Sequence, residues 1–361
     1  MADPFFSICI PQYNRTSFLV EAIRSIQRQD FRDVEVCISD DCSTDGREED
    51  IRQALEAAGL PFRFQRQPSN GRYDRNLRAA MDLARGTFLF LLGNDDALRD
   101  AATLGRVHDV LEAHPSAGVL ITNFEDYATG TPTRRVHGTR LVGSGPDIAV
   151  RAFRTFSFVS GVVLRRTSAA AARTTAWDGS EMYQMYIGCR VIASGGSLVE
   201  ADICAVRKDI TVAGESVDSF ATRPREALVG IPVQPLPITR VAALVADAIA
   251  PHAGGRRRRP LMNLVVQYYG FLCPYWLLVY RRLQSWRYAA GLARAFAPSR
   301  SLRVPDLPWS VRAGAWLVFV AAATAGLCVP VRASAYLFAP ARRLARAAAS
   351  LGGRVAEAGR P

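Results

Sequence analysis

The chain has 361 residues, 49% hydrophobic and 22% charged, enough for one large or two ordinary domains with a buried core. That composition excludes a disordered chain, a disulfide mini-protein and a collagen-like repeat. The net charge of +12 is uneven: residues 255–361 hold 17 arginines against Asp306 and Glu357, a net of +15, while residues 1–254 hold 28 basic and 31 acidic residues, a net of −3. A mildly acidic globular part followed by a basic tail argues against a uniformly basic nucleic-acid binder. The seven cysteines form no CxxC pair and no framework spacing, so reduced, buried thiols and a cytosolic compartment are expected. No basic stretch precedes Phe5, so no cleavable signal is expected.

The first 125 residues alternate apolar runs with amphipathic stretches. Phe6 to Ile10 reads as a buried strand closed by Pro11. Ser17 caps a helix to about Gln29, with Leu19, Ile23 and Ile26 on one face. A second strand, Val34 to Ser39, ends in the cluster Asp40-Asp41-Cys42-Ser43-Thr44-Asp45, and a helix follows to about Ala58. Phe62 to Gln67 is a strand, and Tyr73 to Arg85 a helix stopped by Gly86. Thr87 to Leu92 is a strand that runs into Gly93-Asn94-Asp95-Asp96. Ala101 to about His114 is helical, and Gly118 to Thr122 is a strand. This βα alternation predicts an α/β fold with a doubly wound, mostly parallel sheet. Ligands bind such sheets outside the carboxyl ends of the strands, so the polar clusters at 11–15, 40–45, 70–76 and 93–96 should meet at one rim. Further on, Phe156 to Leu164 reads as a strand and Ser180 to Ala193 as a helix. The expected division is 1–210, a globular domain; 211–255, a proline-punctuated connector; and 256–361, an arginine-rich apolar helical region.

In that last region Leu261 to Tyr280 carries no charge and Ala313 to Val331 has only Thr324 polar. Each is long enough to span a bilayer. A spanning hairpin would export Arg281, Arg282, Arg287, Arg294, Arg300, Arg303 and Arg312, and a single second span would export Arg332, Arg342, Arg343 and Arg346, both against the positive-inside tendency. An in-plane arrangement keeps every arginine beside anionic lipid and is preferred over spanning or a buried helix pair. Arg256–Arg259 beside this aromatic run points to lipid rather than nucleic acid.

Two acidic pairs stand at strand ends, Asp40-Asp41 and Asp95-Asp96. Adjacent carboxylates repel, and a divalent cation that also takes substrate phosphate oxygens gives a reason to keep them together. Solvated turns and helix caps use the same pair. The four histidines are scattered, and no P-loop, GxGxxG fingerprint, nucleophile elbow or zinc pattern occurs.

The strings Ser7 to Arg15, Ile38 to Asp45 and Gly86 to Asp96, with Asn70-Gly71, Arg75-Asn76 and Ala80 between them, occur in an order that resembles the family 2 glycosyltransferases, which have the GT-A fold. The resemblance is close over residues 5–125 and weaker through Phe158 to Gly161 and Arg165-Arg166. It implies that Pro11, Tyr13 and Arg15 border the nucleotide base and ribose, that Asp41 accepts a hydrogen bond from the base, and that Asp40 steadies the loop. Arg72 and Arg75 would contact nucleotide or phosphate, with Asn94 and Asp95 also on the donor side. Asp95 and Asp96 would hold Mn²⁺ or Mg²⁺ at the leaving diphosphate. Two departures stand out. The acidic motif usually opens with an aspartate where this chain has Gly93. The family's Glu-Asp pair before an arginine falls on Tyr183 and Gln184, counted back from Arg190. Glu181, three residues before Gln184 and so on nearly the same helical face, is the expected catalytic base, with Asp178 next.

The resemblance implies an inverting, metal-dependent glycosyltransferase. It would take a nucleotide-diphosphate sugar and a lipid-linked or membrane-proximal glycan acceptor in cell-surface polysaccharide synthesis. It would sit peripherally on the cytoplasmic face of the plasma membrane. A polyprenyl-phosphate sugar synthase, whose ionised acceptor needs no base, and a non-catalytic membrane scaffold on a degenerate transferase domain are the alternatives.

Overall fold

An apolar run without charge is stable only when both faces are covered. In the computed structural model, which describes residues 3–217 and 237–330, the first such run is β1 (Phe6–Gln12), buried along its whole length. It is followed by α1 (Thr16–Gln27), β2 (Val34–Asp40), α2 (Glu48–Ala58), β3 (Phe62–Arg66), α3 (Arg72–Asp82), β4 (Phe88–Leu91) and β5 (Ala97–Leu98). Next come α4 (Thr103–Ala113), β6 (Ala117–Asp126), β7 (Pro132–Thr133), β8 (Arg140–Gly143), α5 (Pro146–Ala152), β9 (Val162–Arg165), α6 (Arg166–Ala171), α7 (Tyr183–Ala193) and β10 (Ser197–Lys208).

The main sheet has the order β3-β2-β1-β4-β9-β6-β10-β5. Strands β3, β2, β1 and β4 are mutually parallel, β9 runs antiparallel to both neighbours, and β10 is parallel to β6. The expected mostly parallel α/β sheet is therefore present. Its first crossovers pack Leu19, Ile23 and Ile26 of α1, and Ile51 and Leu55 of α2, against Ile8, Ile10, Val36 and Ile38. Because β1, β2 and β4 point the same way, the loops after them open at one edge.

Two elements differ from the sequence expectation. The strand expected over Phe156 to Leu164 starts only at Val162, because Phe153–Ser157 closes into a 3₁₀ turn. Arg135 holds the intervening chain: its guanidinium donates to the carbonyls of Thr122, Thr155, Phe158 and Ser160 at 2.8–3.1 Å. The helix expected from Ser180 starts at Tyr183, because Glu181 takes a left-handed backbone with φ of 58°.

Residues 3–217 with 247–254 form one compact unit, and 237–246 with 255–330 a second. The stretch 211–255, expected as a connector, contributes to both and contains the helix Val241–Ile249. The second unit is helical. Its long element runs as Arg258–Gln267, a π turn at Tyr268–Leu272, and Cys273–Leu283, followed by Trp286–Phe296 and Trp309–Cys328. Its core includes the buried rings of Tyr268, Tyr269 and Phe296. Arg332, Arg342, Arg343 and Arg346 lie outside the described residues, as does Val331. All seven cysteines are free thiols; Cys9, Cys37, Cys189 and Cys273 are buried as expected, whereas Cys328 is exposed.

Gly161 joins the turn to β9. It sits at φ of 78°, and a Cβ there would strike the Thr122 hydroxyl. Gly161→Ala should therefore lower stability by about 1–3 kcal/mol through overpacking and a strained φ, read as a drop of several degrees in Tm by calorimetry; an unchanged Tm would contradict this packing.

Candidate active site

The loops after β1 and β2 are fastened to each other. The Asn14 N–H donates to the Ser43 hydroxyl at 2.9 Å, and the Thr44 N–H to Asn14 Oδ1 at 2.6 Å. Asp40, buried, accepts from the N–H and hydroxyl of Ser43, so its side chain does steady the loop. Asp41 Oδ1 accepts the Gly71 N–H at 2.7 Å. The Arg75 side chain lies so close over Gly71 that a Cβ there would meet it. Burial pushes the Asp41 carboxyl up, opposed by the N–H groups of Gly71 and Arg72 and by Arg75. Pro11 is buried in β1, Tyr13 is 43% exposed at the rim, and Arg72 and Arg75 are exposed. Asn94 donates to Gln12 Oε1 at 2.6 Å, and Asn76 to the Gln12 carbonyl at 2.9 Å, tying the loop after β4 and helix α3 to the end of β1.

Asp95 and Asp96 are 6% and 2% exposed. Their carboxylates converge: a Cβ on Gly93 would stand 2.8 Å from Asp96 Oδ2 and 3.1 Å from Asp95 Oδ1. An aspartate at position 93 has no room, and the two acids occupy the place its side chain would leave by. Arg15 Nη1 donates to Asp95 Oδ2 at 2.6 Å. Thus Arg15, expected beside the nucleotide, lies on the acid pair. Asp96 Oδ2 accepts the Ser160 hydroxyl, and Oδ1 accepts the Asp209 N–H at 3.0 Å. Asp209 is a third carboxylate beside the pair, and its own Oδ1 is buried with no hydrogen-bond partner among the described residues. Burial first, then the Asp95 charge, pushes the Asp96 carboxyl up to about 7.

Among the described residues no group of three or more His, Cys, Asp or Glu side chains gathers as a metal cage. Mg²⁺ and Mn²⁺ do not need one, since they are held by one or two carboxylates together with substrate phosphates and water. Two converging hard-oxygen donors fit such an ion, and of the two it is Asp96 whose burial disfavours its charge.

A second acid group lies around α7. Asp74 of α3, 1% exposed, accepts the N–H of Glu181 at 2.8 Å, the N–H of Tyr183 at 3.0 Å and the Ser180 hydroxyl at 3.2 Å. The cap of α7 is thus supplied by another helix. Glu181 is exposed, outside the helix and not on a helical face shared with Gln184, which corrects the expected placement. Asp178 is bound through both oxygens by Arg78, at 2.6 and 2.7 Å, and so braces the loop against α3. Gln184 is buried and accepts the Tyr73 hydroxyl at 3.1 Å. Burial pushes the Tyr73 hydroxyl well above its ordinary value, reinforced by Asp74, Glu181, Asp96 and Asp95.

Arg135, Ser160, Asp209, Asp74 and Tyr73 carried no motif. Ser160 and Gly161 lay in the weakly matching stretch, which was the available hint.

The model of "Glycosyl transferase family 2" matches residues 7–170. Abequosyltransferase RfbV of Salmonella typhimurium is 44% identical over 204 residues, 50% of this chain and 56% of that protein. The GalNAc(5)-diNAcBac-PP-undecaprenol beta-1,3-glucosyltransferase of Campylobacter jejuni is 33% identical over 99 residues, 27% of this chain and 32% of that protein. The chain thus spans about half the length of the first of these relatives and less of the second. The crystal structure of S. aureus TarS 1–349 in complex with UDP-GlcNAc has a TM-score of 0.59 at 17% identity, covering 89% of this chain and 90% of that one. That likeness shows a shared fold, which is GT-A.

An acid whose folded pKa is raised binds its proton more tightly folded than unfolded. Its ionisation thus removes stability progressively from about pH 4, with the loss complete above about 7. Asp96→Asn should therefore raise Tm by a few degrees at pH 8 and by little at pH 4. Equal shifts at both values, by scanning calorimetry, would contradict the burial of an ionising acid here.

Proposed function

We propose, from the match of residues 7–170 to the glycosyl transferase family 2 model, that the protein moves a sugar from a nucleotide-diphosphate donor to a lipid-linked or membrane-proximal glycan acceptor, inverting the anomeric centre, in cell-surface polysaccharide synthesis. One observation carries the reading: Asp41 after β2, bonded to Gly71 before α3, and Asp95 and Asp96 after β4, with Arg15 from the loop after β1 on Asp95, are tied at one sheet edge. The names of RfbV and of the undecaprenol-linked glucosyltransferase support the acceptor class. The functional division is a transferase domain to about residue 210 and an arginine-rich region from 256 that keeps the enzyme on the cytoplasmic membrane face.

Pro11 and the exposed ring of Tyr13 flank the base and ribose, and Asp41, fixed by Gly71, keeps its second oxygen for the base. Arg72 and Arg75 supply positive charge to the nucleotide. Asp95 and Asp96 are the residues that would hold Mn²⁺ or Mg²⁺, whose charge favours departure of the diphosphate. Arg15 sits on the same carboxylate and positions it. The acceptor hydroxyl attacks the anomeric carbon opposite the leaving diphosphate, and Glu181 takes its proton. Asp74 fixes the backbone that carries Glu181, and Asn94 fixes Gln12 beneath the donor.

The neutral, buried Gln184 at the place of the family's usual acid favours a second reading, a polyprenyl-phosphate acceptor already ionised and needing no base. Transfer to bare lipid phosphate but not to a lipid-linked saccharide would select it.

With a nucleotide-sugar panel and Mn²⁺, Asp96→Ala should cut donor turnover at least a hundredfold while the circular dichroism spectrum stays unchanged. EDTA should do the same to the wild type, with recovery on adding Mn²⁺. Retained turnover in Asp96→Ala would remove the cation assignment, and no turnover of any donor by the wild type would favour the scaffold alternative. Glu181→Gln should slow transfer to a hydroxyl acceptor by ~10²–10⁴; a rate within twofold of wild type would remove Glu181 as base.

A further inference from the structure

Among the described residues one helix, Trp309–Cys328, is long and apolar enough to cross a membrane. Its neighbours decide whether it does. It runs in the same direction as the element Arg258–Leu283: Gly314 lies against Met262, Phe319 against Tyr269 with ring centres 5.9 Å apart, and Gly326 against Leu277. Arg281 donates to the carbonyls of Gly326 and Val329 at 2.9 and 2.8 Å, which places the two carboxyl ends together. Two parallel helices in one bundle need a return segment of similar length. Here it contains Trp286–Phe296, with Tyr288 against Tyr280 at 5.1 Å and Phe296 against Tyr268 at 5.6 Å. Arg287 and Arg294 are exposed on that helix. Were the parallel pair to span, Arg294 would sit level with about residue 270, near mid-bilayer, where an arginine costs about 2.5–3.5 kcal/mol or more.

The outward face of Trp309–Cys328 has the opposite character. Trp309, Leu317, Val320 and Trp316 are 82%, 75%, 55% and 41% exposed. Ala313, Ala321 and Thr324 continue the same stripe, and no charged residue follows Arg312 in the helix. A soluble helix carries polar residues on such a face. At its far end Trp286, 56% exposed, donates from its indole to the Leu327 carbonyl at 3.2 Å. The ridge therefore has indoles at both ends and in the middle, within a region holding 17 arginines and two acids.

We propose that this ridge, centred on Trp316, Leu317 and Val320, beds in the plane of an anionic phospholipid surface with the helix lying along it. Indoles take the interfacial level and Arg312 with its neighbours meets lipid phosphate. The assignment specifies the membrane association proposed above and rests on it for its occupant. It is independent of the transfer chemistry.

The test uses the full chain with vesicles of phosphatidylcholine alone or with one quarter phosphatidylglycerol, read by flotation. Wild type should float with the anionic vesicles. The double variant Leu317→Asp/Val320→Asp should lose at least tenfold in partitioning, with unchanged circular dichroism and unchanged donor turnover in lipid-free buffer. Loss of turnover in Asp96→Ala with flotation intact would keep the two readings separate. On sealed anionic vesicles, Arg294→Cys in a Cys328→Ser background should react with an impermeant maleimide as fast as in solution. Protection of that cysteine would indicate spanning and overturn the proposal, as would full flotation of the double variant. A lipid-free dimer that the double variant dissociates, with flotation unaffected, would assign the ridge to a second copy of the chain instead.

Discussion

Two carboxylates share a space that has room for little else. Asp95 and Asp96 converge beside Gly93, and both are buried. Repulsion and lost hydration oppose the ionisation of Asp96, and the fold places Arg15 on Asp95 and the Ser160 hydroxyl and Asp209 N–H on Asp96. Those partners come from α1's approach, the turn before β9 and the end of β10. The acid pair therefore couples distant parts of the first unit. Gly93 belongs to this logic: the missing side chain is what lets the remaining two oxygens approach.

Support for the pair continues inward. Arg135 gathers four carbonyls around Ser160 and packs between Phe124 and Phe158, with its charge 5.3 and 5.6 Å from the two ring centres. Burial pulls its pKa down to about 9, against the opposing charge of Asp96. A half-buried cation hydrogen-bonded to four carbonyls holds the turn that carries Ser160 and adds positive potential near Asp96. On the other flank Asp74 caps α7 and fixes Glu181 in a left-handed backbone. Strain of that kind, ordinarily about 1–3 kcal/mol, persists only where surrounding contacts enforce it. Three hydrogen bonds to one buried carboxylate do so here.

The second unit is organised by a different constraint. Its interior closes around Tyr268, Tyr269 and Phe296, yet one helix keeps tryptophan, leucine and valine turned outward. On the return helix Trp286–Phe296 the same unit keeps Arg287 and Arg294 exposed, so apolar and charged surfaces stand side by side in one bundle.

Much of the first unit was legible along the chain. Uncharged runs such as Phe6 to Ile10 must be buried on both faces, and amphipathic stretches such as Leu19, Ile23, Ile26 must cover them. Hence the parallel sheet and the meeting of the clusters after β1, β2 and β4 followed from local chemistry. The acid pair and Asp41 were likewise readable, because their spacing within strand-end motifs is local. What lay beyond reach was any feature set by residues far apart. The start of α7 depends on Asp74, more than 100 positions earlier, so periodicity carried the helix three residues too far toward its amino end and put Glu181 on a face it does not occupy. Asp178, next after Glu181 as the expected base, is held by Arg78, and Arg15, expected at the nucleotide, stands 2.6 Å from Asp95, pairings that no local pattern announces. In the second unit, composition established two apolar runs amid arginines. That these runs pack in parallel, and that Arg294 lies level with about residue 270, came only from the tertiary structure, because that level is a property of three helices together and of none alone.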